Sequence, residues 1–457
     1  MSSRLPRQIV ISGAGLAGSL LAVMLGRRGY EVTVYEKRPD LRHSRLSAGR
    51  SINLALADRG IDALRRAGLY DDLERLLIPM RGRMIHERSG QLEFQPYGQR
   101  DHEIIHSVSR GDLNGLMMDR AELHPRVSMH FEQACQRIDL KNRTLEILDQ
   151  RNQQLRRVEY DVLIGADGVG SPVRKAILRA TGGNCSTEML DHDYKELVLP
   201  PVWDGQHAIE REALHIWPRG GFMLIALPNP DGSYTVTLFL AKHGSPSFDE
   251  LRSREHVRSF FCEEFPDVVP LIPDLTDQFF KHALGPLGTI RCWPWSAAGN
   301  ALVLGDAAHA IVPFHGQGMN AAFEDCAQLI QLLNEYEDDW PTVMHEFEQQ
   351  RKPNADAIAD MALENYVIMR ERVVDPKFQL KKQIGFQLEQ RFPNRFIPRY
   401  SMVMFHTIAY AQALQRGRIQ ERILDELSRG INSVEQVDFT RAEALVAGQL
   451  SEMDVVC

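Results

Sequence analysis

The chain opens on two short apolar runs joined by a glycine turn and a helical repeat. Ile9 to Ser12 is the first run, and Gly13-Ala-Gly15-Leu-Ala-Gly18 is the turn. A helical pattern continues through Leu25, and the second run, Val32 to Tyr35, ends on Glu36. Strand, turn, helix, strand and terminal acid form the context in which such a glycine triplet binds a dinucleotide. Gly13 permits the tight turn, Gly15 lets backbone approach a pyrophosphate, and Gly18 lets the helix pack closely on the strand. The free N–H groups of the helix start face the phosphate charge, and Glu36 is placed to accept the ribose hydroxyls. NAD and FAD both remain open at this point.

Further along, Ser51 to Leu56 reads as a strand and Asp58 to Ala67 as a helix stopped by Gly68. Arg83 to Glu87 and Gln91 to Tyr97 flank Ser89-Gly90, a hairpin signal. A helix runs from Ser109-Arg110-Gly111-Asp112 towards Glu122, followed by strands at Val127 to Phe131 and Thr144 to Asp149. Tyr160 to Asp167 is a buried strand ending in Asp167-Gly168, and Pro172 suits the first turn of the next helix. From about Glu188 to Gly285 the period changes to two. Ala213 to Trp217, Phe222 to Leu227 and Tyr234 to Leu240 alternate with turns at Gly220-Gly221 and Asp231-Gly232, which is antiparallel-sheet grammar.

The βα pattern returns at Ala301 to Asp306, with a Gly- and Pro-rich loop to Asn320 and a helix from Ala321 to Leu333. The remainder is helical. Ile358, Met361, Ala362, Asn365, Tyr366 and Met369 fall on one face of a helix from Asn354 to about Arg370. Tyr400, Val403, Met404, Thr407 and Ala411 are expected to share another, and segments beyond Gln415 read as surface helix and tail. The fold class is therefore α/β. A discontinuous Rossmann-like domain (1–75, 107–182 and 286–340) carries an inserted antiparallel-sheet domain (76–106 and 183–285) and a C-terminal helical region (341–457).

Composition narrows the function classes. With 457 residues, 44% hydrophobic and 25% charged, the chain reads as an ordinary globular protein of two or three domains. Its net charge of −8 argues against a nucleic-acid surface. Six cysteines lie scattered without metal spacing, and His309 and His315 lack a ligand pattern, so no metal site is expected. No signal peptide is seen, so reduced thiols and a cytoplasmic location are expected. The most apolar late segment, Ser401 to Leu414, is short and interrupted by His406, Thr407 and Gln412, so no membrane anchor is expected.

Candidate chemistry lies at a few polar positions. Asp306 is placed to accept from a ribose or ribityl hydroxyl, and the amides of Gly318, Met319 and Asn320 leave a helix start suited to a partly anionic ring edge. Arg83 and Tyr97 together can hold a carboxylate. A three-residue loop, 89 to 91, would put them on one face, whereas a two-residue loop would put them on opposite faces. Asn365 sits on an apolar stripe, where either another side chain or a ligand must satisfy its amide.

The fingerprint ending at Glu36, Asp167-Gly168, and Gly305-Asp306 with its loop stand in an order that resembles the class A flavoprotein aromatic hydroxylases. Gly49 to Leu56, Tyr194 to Leu197 and Pro313 to Asn320 are similar to the kynurenine 3-monooxygenase branch of that family. The resemblance implies an FAD-binding domain of the glutathione-reductase and p-hydroxybenzoate-hydroxylase type. FAD would contact Gly13, Gly15, Leu16, Ala17, Gly18, Glu36, Lys37, Arg38, Ala55, Arg110, Asp167, Asp306, Gly318, Met319 and Asn320. It implies NADPH as co-substrate, O2 activation as a flavin C4a-hydroperoxide, and L-kynurenine held by Arg83, Tyr97, Asn365 and Tyr400. Pro313, His315 and Gln317 would face the reaction, and a homodimer is among the open oligomeric states. Rival readings are a hydroxylase of a phenol and a non-catalytic protein that keeps the FAD fold as a binding platform.

Overall fold

A computed structural model describes residues 8–43, 53–372 and 375–453. Most of the basic stretch Arg42 to Arg50, and the start of the strand expected from Ser51, lie outside these residues. The chain packs as two units. The first comprises Met1–Leu77, Ser107–Leu190 and Leu287–Ala359, and the second Ile78–His106, Asp191–Pro286 and Asp360–Cys457. The helical region expected as a separate 341–457 piece is thus shared between them rather than forming a third unit.

The first unit is built on a six-stranded sheet. Its order is Ser296–Ala297, Ala301–Val303, Val162–Gly165, Ile9–Ser12, Val32–Glu36 and Val127–Phe131, parallel except for the first pair. Ile9–Ser12, Val32–Glu36 and Val162–Gly165 are buried along their whole length, which is why they read as continuous apolar runs. The helix Leu16–Arg27 packs against both Arg110–Glu122 and Gly318–Glu335, and every residue from Gly18 to Leu25 is buried. A helix covered on several sides has no polar face to display. Two strands escaped the sequence pattern. Gln133–Asp139 and Gln154–Glu159 flank Thr144–Asp149 in an antiparallel sheet, and Gln154–Glu159 is almost wholly exposed, so nothing in it alternates.

The second unit contains the antiparallel pattern. Tyr234–Ala241 pairs with Asn184–Leu199 on one side and Met223–Pro228 on the other, followed by Ala213–Pro218, Gly82–His86 and Leu92–Pro96. Gly82–His86 runs parallel to Ala213–Pro218, the one parallel pairing among these strands. The helices Arg254–Glu264 and Leu275–Lys281 contribute Val257, Phe260, Phe261, Leu275 and Phe279 to the core over this sheet.

Two expectations about the C-terminal region are corrected. The stripe from Tyr400 to Ala411 is not continuous, because Arg399–Met404 ends and a new helix starts at Tyr410, leaving Thr407 exposed. Nor is the segment beyond Gln415 a solvated tail. Leu380, Ile384, Leu388, Phe396, Ile423, Leu427, Ala442 and Val446 form a buried cluster of their own. Ile423→Ala should therefore cost about 2–5 kcal/mol, as deletion from a packed core does, read as a lowered denaturation midpoint. A surface position would shift stability by no more than about 0.5 kcal/mol.

Candidate active site

In the first unit the three stretches singled out in the sequence converge. Gly13 has φ +102°, and a Cβ there would lie 2.5 Å from the carbonyl oxygen of Ala166. A Cβ on Gly18 would lie 2.0 Å from the carbonyl of Gly13, whereas one on Gly15 would meet nothing within 4 Å. Two glycines are thus required by protein packing, and the middle one opens onto space. Gly15 caps the helix without a side-chain hydrogen bond, and the first turn carries no acid. Its N–H groups are therefore available to an anion.

Glu36 is buried, and both of its oxygens are engaged. Oε2 accepts from Ala14 N at 2.9 Å, and Oε1 accepts from Arg38 N and Nε at 2.9 Å each. Burial raises its pKa, but the Arg38 guanidinium and the two backbone N–H groups outweigh that and hold it below the usual carboxylate value. Arg38 is itself more than half exposed, so a ribose hydroxyl can share this acceptor. Asp167 accepts from Ser12 Oγ at 3.0 Å, while its Oδ1 is buried with no hydrogen-bond partner among the described residues. Burial pushes its pKa up despite Ser171 and Ser12.

The third stretch is held from behind. Gly305 has φ +56°, and its N–H donates to Asp325 Oδ2 at 2.9 Å. The same oxygen lies 2.6 Å from His309 Nε2, and Oδ1 accepts from Arg351 Nε at 2.7 Å. Arg351 Nη1 and Arg59 Nη1 each donate to Glu324 at 2.7 Å. Asp325 is completely buried. Burial raises its pKa, but His309, Arg351 and the Gly305 N–H bring it down to about 2. Arg174, buried beside Ser171, donates to the carbonyls of Ala307 and Val169 and so joins the second stretch to the third.

Asp306 is exposed at the start of the short helix Asp306–His309. Pro313–His315 forms a 3-10 turn closed by Gly316, φ +65°. Pro313 is exposed, whereas His315 and Gln317 are buried and already engaged in contacts. The helix Gly318–Glu335 begins without a capping side chain or an acid, and Ala321 N to Gln317 O is its first bond. The amides of Gly318, Met319 and Asn320 precede that bond. The Asn320 side chain is fully committed: Nδ2 donates to Ala55 O and Gly316 O at 2.8 Å, and Oδ1 accepts from Ala57 N at 2.9 Å. Only its main chain is left for a cofactor. Lys37 is exposed beside Arg38, Arg110 is exposed at the start of its helix, and Leu16 and Ala17 are half-buried. Arg42, the described member of the basic loop, is taken up by Asp40, Asp119 and Glu122.

The second unit brings Arg83, Tyr97 and Tyr400 together. The Arg83 guanidinium carbon lies 5.6 Å from the Tyr97 ring centroid and 5.1 Å from that of Tyr400. The two rings stack at 5.5 Å and 15°. The hairpin reaches this arrangement by a register that neither loop considered from the sequence provides. Glu87 pairs with Gln91 around a loop of residues 88–90, Gly90 takes the left-handed conformation, and Arg83 stands opposite Gln95. Tyr97, two residues further, shares the face of Arg83 as a diagonal neighbour.

Arg83 Nε and the Tyr97 hydroxyl have no hydrogen-bond partner among the described residues. Burial, and then the adjacent Tyr400, push the Tyr97 phenol well above its ordinary pKa. Burial also raises Tyr400, so both remain donors. The segment after Tyr97 is tied down by Glu103, which accepts from Gln99 N and Arg100 N, while Arg100 Nη1 also reaches Glu389 at 3.2 Å. Asn365 is buried near the end of Trp340–Val367, just before the π-helical turn Ile368–Arg372, and has a contact within the protein.

A family model described as FAD binding domain matches residues 7–362. A kynurenine 3-monooxygenase of Stenotrophomonas maltophilia (strain K279a) is 45% identical over 99% of both chains. One of Xanthomonas axonopodis pv. citri (strain 306) is 46% identical over the same share. The chain belongs to the kynurenine 3-monooxygenase family. It is an FAD-dependent aromatic monooxygenase. Solved structures agree on the fold at low identity. 2-methyl-3-hydroxypyridine-5-carboxylic acid oxygenase superposes with a TM-score of 0.66 at 19% identity, over 84% of this chain and 97% of that one. PqsL of P. aeruginosa does so with 0.65 at 20%, over 80% and 97%.

The residues fit FAD. Gly15 leaves a cradle that a Cβ would fill, two helix starts present uncapped N–H groups, and Asp167 keeps an unused buried oxygen. Sequence reasoning missed the groups behind this surface: Asn114, which donates to Ala14 O at 3.0 Å, Arg174, and the set from Arg59 to Asp325. Adjacent acids Glu324-Asp325 inside an apolar helix were the available signal. Asp325→Asn should cost about 3–5 kcal/mol by taking one of its two counter-charges from the buried Arg351. Because the folded pKa of Asp325 is depressed, its stabilisation is present above about pH 4 and is lost as pH falls towards 2. Acid denaturation of the variant should accordingly be flatter over that window.

Proposed function

We propose that this protein hydroxylates L-kynurenine at ring carbon 3, consuming one NADPH, one proton and one O2 and releasing NADP+ and water. FAD, when bound, would supply the redox chemistry of hydride acceptance and oxygen activation. Gly13, Gly15 and Gly18, with the amides of the first helix turn, hold its pyrophosphate, and Glu36 accepts from its ribose while Arg38 keeps the carboxylate charged. Leu16, Ala17, Lys37, Ala55, Arg110, Asp167 and Asp306 line the remainder. The amides of Gly318 to Asn320 stabilise negative charge at the ring edge. Pro313 and the turn to Gly318 wall off water, with His315 and Gln317 shaping that wall.

The observation that carries the substrate assignment is the set of unused donors in the second unit. A buried guanidinium nitrogen and a buried phenol, both lacking acceptors, match a carboxylate, which is acceptor-only and binds Arg strongly. Tyr400 completes the cage, and Asn365 holds the polar end of the same ligand. Kynurenine's ring amine donates electrons to the adjacent carbon, so the protein's task is to position that carbon and exclude water.

Arg83→Ala should raise the kynurenine requirement about tenfold to a hundredfold, since a charge-assisted contact contributes about 1.5–3 kcal/mol. Steady-state kinetics with unchanged KM would remove Arg83 from the site. Anaerobic mixing of the yellow protein with NADPH tests the substrate itself: L-kynurenine should accelerate bleaching of the flavin. Acceleration by a hydroxybenzoate but not by kynurenine would point instead to a phenol hydroxylase.

A further inference from the structure

Lys382 lies half-buried on the helix Pro376–Arg391, and its Nζ donates to Pro96 O at 3.2 Å. Its ammonium also lies 5.6 Å from the Phe386 ring centroid. Pro96 directly precedes Tyr97 and is the hairpin partner of Gly82, the neighbour of Arg83. The helix therefore delivers a second cation to the end of the hairpin that carries Arg83 and Tyr97. Among the described residues Lys382 has no ion-pair partner, and its hydrogen-bond acceptor is a neutral carbonyl. The adjacent Lys381 is different, pairing with both Glu421 and Asp425.

Two cations thus stand at one corner of the hairpin, each beside an aromatic ring, with little compensation. Arg83 acts on Lys382 from the strand Gly82–His86, and Glu93 acts on it with the opposite sign from Leu92–Pro96. Tyr97 and Tyr400, beside Arg83, stay neutral, and Lys381 is balanced by its own partners. Burial, and then the charge of Arg83, bring Lys382 down to about 8, while Glu93 offsets only part of this. A negative group entering the corner reverses the balance, because an opposite charge favours the charged form.

We propose that Lys382 is a second cation of the substrate clamp, and that a carboxylate seated on Arg83 draws a proton onto it. The idea rests on the reading of Arg83 as the carboxylate site. Lys382 is a positioning residue in it, holding the ligand's anionic end through charge while its stem lies along Phe386. Binding and proton uptake then become one event. Below pH 8 the free protein already carries the proton and affinity is full. Above it the proton must be regained, and affinity falls as pH rises.

The test is calorimetric binding to the FAD-loaded protein in buffers of different ionisation heat. L-kynurenine's own α-amino group titrates in the alkaline range, so 4-(2-aminophenyl)-4-oxobutanoate, which lacks it, is the primary probe. Wild type should take up about half a proton at pH 8, with Kd rising about tenfold from pH 7 to pH 9. Lys382→Arg should keep the affinity seen at pH 7 to within about threefold and abolish the uptake, since Arg does not titrate here. Lys382→Met should lose both the uptake and about tenfold in affinity at pH 7. Wild-type binding without proton uptake at pH 8, or uptake that survives in Lys382→Met, overturns the proposal. Arg83→Ala separates the two layers. If it leaves binding intact, the carboxylate site itself is misplaced. If it weakens binding while Lys382→Met does not, only Lys382 is eliminated.

Discussion

The cofactor half of this protein depends on one buried carboxylate. Asp325 takes a backbone N–H from Gly305, a ring nitrogen from His309 and a guanidinium nitrogen from Arg351, with no exposure to solvent. An isolated charge in that position would be prohibitively costly. With three donors it becomes a fixed point instead. The backbone turn at Gly305, which has positive φ, is held by a charge-assisted bond, and the helix carrying Asp325 is the one whose uncapped N-terminus is proposed to meet the flavin. Position of the turn and direction of the helix are set by the same side chain.

The second unit uses the opposite strategy. Where the first surrounds Asp325 with donors, the second leaves donors unused at Arg83 and Tyr97 and gives Lys382 no carboxylate partner among the described residues. Unsatisfied buried donors reduce stability, and the surroundings offset this through rigid supports: stacked tyrosines, and a loop pinned by Glu103 and Glu389. On the proposed reading, a ligand meets the unused donors of Arg83 and Tyr97. Specificity for an acceptor-rich group follows, since a ligand lacking one would leave those donors buried and unpaired.

What the sequence made readable divides by range. Gly13 to Glu36 could be interpreted because a strand, a turn and a helix declare themselves within a short window, and the glycines have separate local duties. The alternating strands from Ala213 to Ala241 were visible for the same reason. The supports were not. Asp325 and Arg351 are 26 positions apart, and Arg100 and Glu389 are 289 apart. A pairing at that range leaves no periodic trace. Asn320 was read through its backbone amide alone, whereas its side chain clamps Ala55, Ala57 and Gly316. For the hairpin the sequence left two loops open, 89–91 and 89–90, with opposite consequences for Arg83 and Tyr97, and the structure forms neither: the loop is 88–90, ending on Gly90.

That turn has a consequence for how the substrate site can change over evolutionary time. Leu92–Pro96 is the edge strand of its sheet, paired on one side only, so its register rests on the single ladder with Gly82–His86. Strand faces alternate with a period of two. A length change absorbed within this exposed tip preserves the face on which Tyr97 meets Arg83, whereas one that slips the pairing by a single residue turns Tyr97 away from it. Which length variants retain the Arg83–Tyr97 arrangement thereby turns on whether the tip or the strand pairing takes up the change.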